Sequence, residues 1–181
     1  MRTVKATVPI LVYHKIGKSP PGERRPDTYV TPARFSLQMA ILDWLGYETI
    51  LPSHFSKIRK GEKCSLPPKP ILLSFDDGSA SIMEHALPIL ERHGFAAAVF
   101  AVADRLGRPA LWDGEPPHST HRLLTASQLR ELADYGWEIG SHSLSHARLT
   151  DLDSAAALRE ILDSKRILED VLGSEIPWFA Y

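Results

Sequence analysis

The chain has 181 residues, 44% of them apolar and 24% charged, ordinary usage for a globular protein. Disorder, collagen and disulfide scaffolds are excluded as descriptions of the whole chain, and the length suits one domain with a sizeable core. Lys and Arg number 21 against 22 Asp and Glu, a net charge of −1, which argues against a nucleic-acid binder or a polybasic membrane-surface protein.

The single cysteine, Cys64, cannot form an internal disulfide, so nothing points to an oxidising compartment. Met1 to Pro9 holds no apolar core of a signal peptide, and no run approaches the ~18 apolar residues of a membrane span. The expectation is a soluble, cytoplasmic chain.

Short apolar runs alternate with amphipathic stretches of helix length. Pro9 to Val12 reads as a buried strand. Thr31 and Pro32 open a helix as N-cap and first residue. Phe35, Met39, Leu42 and Leu45 give it an apolar face, and Gly46 stops it. Tyr47 to Leu51 reads as a second strand. A connector from about Ser56 to Pro70 follows, with a short helix at its start. Ile71 to Phe75 is a third strand, and a helix runs from about Ser79 to His93.

Ala96 to Ala101 is a fourth strand. A long loop spans about Arg105 to Arg122, and loops of that length are commonly functional. Thr125 caps a helix with Leu129, Leu132 and Ala133 apolar, ending at Gly136. Trp137 to Gly140 is a fifth strand, Asp151 to Leu172 the longest helix, and Pro177 to Ala180 begins a sixth strand. Strands alternating with helices imply a parallel sheet or barrel. Function then sits at the C-terminal ends of the strands.

The third strand ends in Asp76-Asp77-Gly78. Two carboxylates leave a buried strand where the chain turns, and neither can be a fully buried charge without a partner or a metal. The plainer alternative for Asp77 is a cap on the following helix. The fifth strand ends in Ser141-His142-Ser143-Leu144-Ser145-His146. If the turn after it is helical, His142 and His146 lie on one face, a geometry for two nitrogen ligands on one metal. Eight histidines in this chain give roughly 0.3 such pairs by chance, so the pair alone is weak. Its conjunction with Asp76-Asp77 at another strand end is far more specific. Two His and one Asp leave an open metal position for water, with the other Asp free as a base.

Among the remaining histidines, His14 follows the first strand and could line the same cleft. His118 and His121 have ligand-like spacing in the long loop, where solvation is the expectation. Trp112 and Asp113 in that loop are candidates for a sugar-binding rim. A magnesium phosphatase of the haloacid-dehalogenase type is disfavoured, because it spaces its acids as Asp-x-Asp and has no use for the His pair.

Ser74-Phe75-Asp76-Asp77-Gly78 and His142-Ser143-Leu144-Ser145-His146 resemble the first two motifs of the polysaccharide deacetylase family, the carbohydrate esterases of family 4. The lead-in Gly136 to Ser141 and Leu124-Thr125-Ala126 are also typical. Pro9 to His14 and Phe179 to Tyr181 are similar to the branch acting on exopolysaccharide or poly-N-acetylglucosamine.

The resemblance implies a distorted (β/α)7 barrel and a metal-dependent N-deacetylase of an N-acetylated oligo- or polysaccharide. Asp77, His142 and His146 would hold one divalent metal, usually zinc, and Asp76 would be the general base. Ser143 would orient a neighbouring ligand or the loop without being catalytic. The chain departs from the pattern at Ala180, where the family carries an Arg that steadies the base. The later motifs are not matched, so residues 1–181 read as the N-terminal portion of a single domain. The other reading is a catalytically incomplete metal- or carbohydrate-binding fragment.

Overall fold

The computed structural model of the chain describes residues 7–112 and 121–181. In chain order the strands are β1 (Ile10–Tyr13), β2 (Lys15–Ile16), β3 (Tyr29–Val30), β4 (Glu48–Thr49), β5 (Pro70–Phe75), β6 (Ala98–Ala101) and β7 (Glu138–Ser141). The helices are α1 (Pro32–Trp44), α2 (Pro52–Arg59), α3 (Leu87–Arg92), α4 (Ala126–Asp134) and α5 (Ser154–Leu172). The protein is thus an α/β fold, and every pairing of the seven strands is parallel.

β5 is central because it is apolar on both faces, as strands covered on both sides are. Ile71 through Phe75 are all buried. β1 lies along one edge, with Tyr13 opposite Phe75. β4 pairs with Pro70 and Ile71, and β6 pairs with Ser74 and Phe75. β7 follows β6, with Ala101 opposite Ser141. The expected sixth strand is reduced to a parallel bridge between Ser141 and Phe179. Among the described residues no pairing joins that end to β1.

This register sends residues 14, 76, 102 and 142 out of one end of the sheet. Aromatic packing fixes that end. The Phe75 ring is fully buried between Tyr13 (5.6 Å) and Trp137 (5.7 Å), with Phe35 set edgewise at 5.9 Å. Burying a ring of this size contributes about 1.5–3 kcal/mol.

Most helix boundaries follow local chemistry. The Thr31 hydroxyl accepts from the Arg34 N–H, and Pro32 occupies the first turn of α1. Thr125 and Gln128 form a reciprocal capping box on α4. Of the expected apolar face of α1, Phe35 and Met39 are fully buried, Leu42 packs against the core and Leu45 is exposed.

Four expectations are corrected. β1 is not buried on both faces. Leu11 and Tyr13 turn inward, but Ile10 and Val12 are more than half exposed, because no described element covers that face. The helix expected from Ser79 begins as a π-helical turn, Ile82–Ala86, and becomes α-helical only at Leu87. Pro88 explains the widening: it has no N–H for the Glu84 carbonyl, and its ring crowds that carbonyl. α5 starts after Asp153, whose carboxylate accepts from the Ala156 N–H at 2.7 Å, while Asp151 lies in a separate 3-10 turn. Ala133 of α4 is exposed rather than core-facing. The small β2–β3 pair carried no apolar run that could announce it.

Among the described residues no helix is long and apolar enough to cross a membrane.

Gly140 on β7 is required by close packing. A Cβ there would lie 2.5 Å from the Phe100 ring and 3.1 Å from the Trp178 Cβ. Gly140→Ala is expected to lower stability by about 1–3 kcal/mol, read as a lower urea midpoint with an unchanged slope. A wild-type midpoint would show that the ring moves aside freely.

Candidate active site

Asp76 and Asp77 leave β5 together but go different ways. Asp76 keeps the strand register, and its N–H donates to the Tyr13 carbonyl at 2.9 Å. Its side chain shares a face with Ser74, as residues two apart on a strand do, and the Ser74 hydroxyl donates to its Oδ1 at 3.2 Å. Asp77 adopts a left-handed conformation, φ 67°, followed by Gly78 at φ 77°. The turn rolls the Asp77 carboxylate back into the protein, where the residue is only 3% exposed. It caps no helix. Its Oδ1 faces His146 Nε2 at 3.2 Å and His142 Nε2 at 3.5 Å. Neither approach has the line of a hydrogen bond, so Oδ1 is buried without a hydrogen-bonded partner.

The turn carrying the two histidines is not helical, so the helical case of their spacing is not the one that occurs. Ser143 and His146 both take φ 65°. These two and Asp77 are the only non-glycine residues with positive φ among the described residues. Such conformations cost of order 1–3 kcal/mol each and persist where their surroundings over-determine them.

The surroundings do so here. The N–H groups of Leu144 and Ser145 both donate to Glu160 Oε2, at 3.0 and 2.9 Å, and the Ser145 hydroxyl donates to Glu160 Oε1 at 2.7 Å. The His146 N–H donates to Ser143 Oγ at 3.0 Å. The carbonyls of Ser143 and Leu144 accept from Ala103 and Asp104. Folded in this way, the loop brings both imidazoles to one carboxylate without a helix.

His142 Nδ1 lies 3.1 Å from the Ala180 carbonyl. A proton on Nδ1 donated to that carbonyl leaves the Nε2 lone pair facing Asp77, the partnering usual for a metal-ligating His. Ala180 therefore serves through its backbone, whatever its side chain. The His146 ring is stacked by Trp112, with centroids 4.3 Å apart and planes inclined by 22°.

The electrostatics separate the two carboxylates. Burial pushes the Asp76 carboxyl above its ordinary range, outweighing the pull of His142, His14 and the Ser74 hydroxyl. Burial acts in the same direction on Asp77, but the facing His146 and then His142 outweigh it and hold that carboxyl below its usual range. Burial also lowers His142 against the attraction of Asp76 and Asp77, which favours the neutral imidazole.

An open cavity of about 600 Å³ lies over these groups, with His14, Asp76, Trp112, His142 and His146 in its wall. The sequence-selected residues thus converge, apart from Asp113 and His118, which lie outside the described residues. His121 is described and its ring lies 6.4 Å from that of Tyr29, outside the cavity wall. Glu160 and the Ala180 carbonyl were not anticipated. Glu160 had one signal, a charge at the i, i+4, i+8 positions shared with the fully buried Ser164 and Leu168.

The ligand atoms of Asp77, His142 and His146 lie within 4.8 Å of one another. One oxygen and two imidazole nitrogens form a donor set suited to a divalent transition metal. The orphaned Asp77 Oδ1 between two ring nitrogens fits such an ion. Fold and site together define an α/β protein with a candidate mononuclear metal site at its strand ends.

The chain belongs to the polysaccharide deacetylase family, whose profile matches residues 63–181. It is 28% identical over 181 residues to YxkH of Bacillus subtilis (strain 168), a protein provisionally named as a polysaccharide deacetylase, covering 97% of this chain and 56% of that one. A polysaccharide deacetylase from Bacillus cereus superposes with a TM-score of 0.74 at 28% identity, over 96% of this chain and 50% of that one. The deacetylase PplD of Streptococcus pyogenes, solved with acetate, has the same fold, with a TM-score of 0.80 at 23% identity over 96% and 73% of the two chains. The chain spans about half the length of the first two of these relatives.

After incubation with zinc and removal of excess, the wild-type chain is expected to retain about one ion per molecule. His142→Ala should retain almost none by elemental analysis. Equal content in the two would show that the cluster is not where the ion binds.

Proposed function

We propose that this protein removes N-acetyl groups from an N-acetylated sugar polymer of the N-acetylglucosamine type. One observation carries the reading: a carboxylate and two imidazoles converge beneath a cavity that also exposes a second, separate carboxylate. Membership of the polysaccharide deacetylase family supports it.

In this reading Asp77, His142 and His146 hold the divalent ion, zinc by preference for an N2O donor set. When bound, such an ion supplies Lewis-acid polarisation of the amide carbonyl and acidifies water.

The chain's own groups supply the rest. Asp76 lines the cavity beside His142 and accepts the proton as water adds to the acetamide carbonyl carbon. The proton taken by Asp76 then passes to the amide nitrogen as the C–N bond breaks, so that the sugar keeps a free amine and the acetyl group leaves as acetic acid, which ionises to acetate. Ser74 holds the Asp76 carboxylate through Oδ1, leaving Oδ2 free to take the proton. That hydroxyl offers a way to steady the base in a chain with Ala180 at the position of the family's arginine. The Ala180 carbonyl holds His142 in the tautomer that presents Nε2.

His14 and Trp112 stand in the cavity wall, where they contact the sugar. Trp112 already spends one ring face on His146, so only its edge or its other face is left for a sugar. Asp113 lies outside the described residues and stays a substrate-binding candidate by its sequence position alone.

The roles of the two adjacent carboxylates separate experimentally. Asp76→Asn should cut acetate release from N-acetylglucosamine oligomers by about 10²–10⁴-fold while retaining zinc. Asp77→Asn should lose both. Loss of zinc in Asp76→Asn would make Asp76 a ligand rather than the base. Zinc retention with no acetate release by the wild type would favour a binding function.

A further inference from the structure

The loop that presents His146 is held by a side chain from a distant helix. Three consecutive N–H groups, those of Leu144, Ser145 and His146, point away from any regular ladder. Glu160 of α5 takes the first two on one oxygen and the Ser145 hydroxyl on the other, and Ser143 takes the third. Two residues of this loop sit in the left-handed region, which a side chain-bearing residue leaves unless held there. Without Glu160, two half-buried N–H groups lose their acceptor and must turn toward water. The φ of His146 and the direction of its imidazole go with them.

We infer that Glu160 is a positioning residue for the metal site. By fixing the backbone of Ser143 to His146, it holds His146 Nε2 against Asp77 in the chain as folded. The inference rests on the metal-binding reading of Asp77, His142 and His146. It assigns Glu160 no contact with ion or substrate. The packing of α5 is separate, since its buried side chains, Ser164 and Leu168, lie one and two turns further along. The role requires acceptor geometry rather than charge. A glutamine carbonyl can accept both N–H groups while its amide donates to Ser145 Oγ.

The test uses Co²⁺ as the probe, titrated into the full chain and followed by its visible d–d absorption, with thermal unfolding measured in parallel. The wild type should bind about one equivalent, and His142→Ala should lose the band. Glu160→Ala should weaken Co²⁺ binding by about 10- to 100-fold, with an altered band, as expected for losing a group that orients a ligand. Glu160→Gln should stay within about threefold of wild type. Should Glu160→Ala fail to unfold cooperatively, Glu160→Asp replaces it. That variant keeps the charge but falls one methylene short, and about 10-fold weaker binding is expected.

Wild-type affinity and spectrum in Glu160→Ala, or in Glu160→Asp where that variant is used, would overturn the inference while leaving the metal site standing. Equal impairment of the glutamine and alanine variants would overturn it too, since charge and not geometry would then be what matters. A wild type that binds no Co²⁺ would overturn the metal reading itself, and this inference with it.

Discussion

A carboxylate held inside the protein against two imidazoles is the constraint on which the rest of this structure depends. An ionised group as enclosed as Asp77 is costly to bury unless opposite charge or a bound cation faces it. Among the described residues, the Nε2 atoms of His142 and His146 face its Oδ1. The backbone is bent to make that meeting occur. Asp77 itself, Ser143 and His146 take left-handed conformations, and Gly78 follows Asp77 at φ 77°, a conformation that residues with a side chain rarely adopt. Strain gathered at one point and absent elsewhere among the described non-glycine residues marks a place where local stability is given up for arrangement.

Two scales of structure support that arrangement. The parallel register of β1, β5, β6 and β7 delivers His14, the Asp pair and the His pair to one end, with Phe75 locked among Tyr13, Phe35 and Trp137 just behind Asp76. The loops then aim the side chains. Ser74 steadies Asp76, the Ala180 carbonyl steadies His142, and Trp112 and the Ser143 hydroxyl steady His146. One of these supports is a backbone group. A backbone carbonyl survives a change of side chain, which is why alanine at position 180 leaves the His142 contact intact.

Much of the fold was legible from residue order. The run Ile71 to Phe75 read as a buried strand, and every one of those residues is buried in β5. Thr31-Pro32 and Thr125 marked helix starts because their hydrogen bonds are local. The failures were equally physical. Ile10 and Val12 are apolar, but whether a face of β1 is covered depends on what else packs there, and among the described residues nothing does. Pro88 widened a turn that periodicity alone reads as ordinary helix. His142 and His146 have helical spacing yet meet through a bent loop, because spacing does not distinguish a helical turn from one with two left-handed residues.

Residue order by itself determined the chemistry: an acid pair and an imidazole pair, each placed where an apolar strand must stop. Those positions follow from short-range physics, since burial, turns and caps depend on neighbours within a few residues. Tertiary structure alone decided which Asp turns inward, that Glu160 braces the histidine loop from a helix 14 residues beyond His146, and that Ala180 matters through its carbonyl. Each of these brings groups far apart in the chain to within a few ångströms of one another. Nothing in the local sequence carries that distance until the sheet has formed.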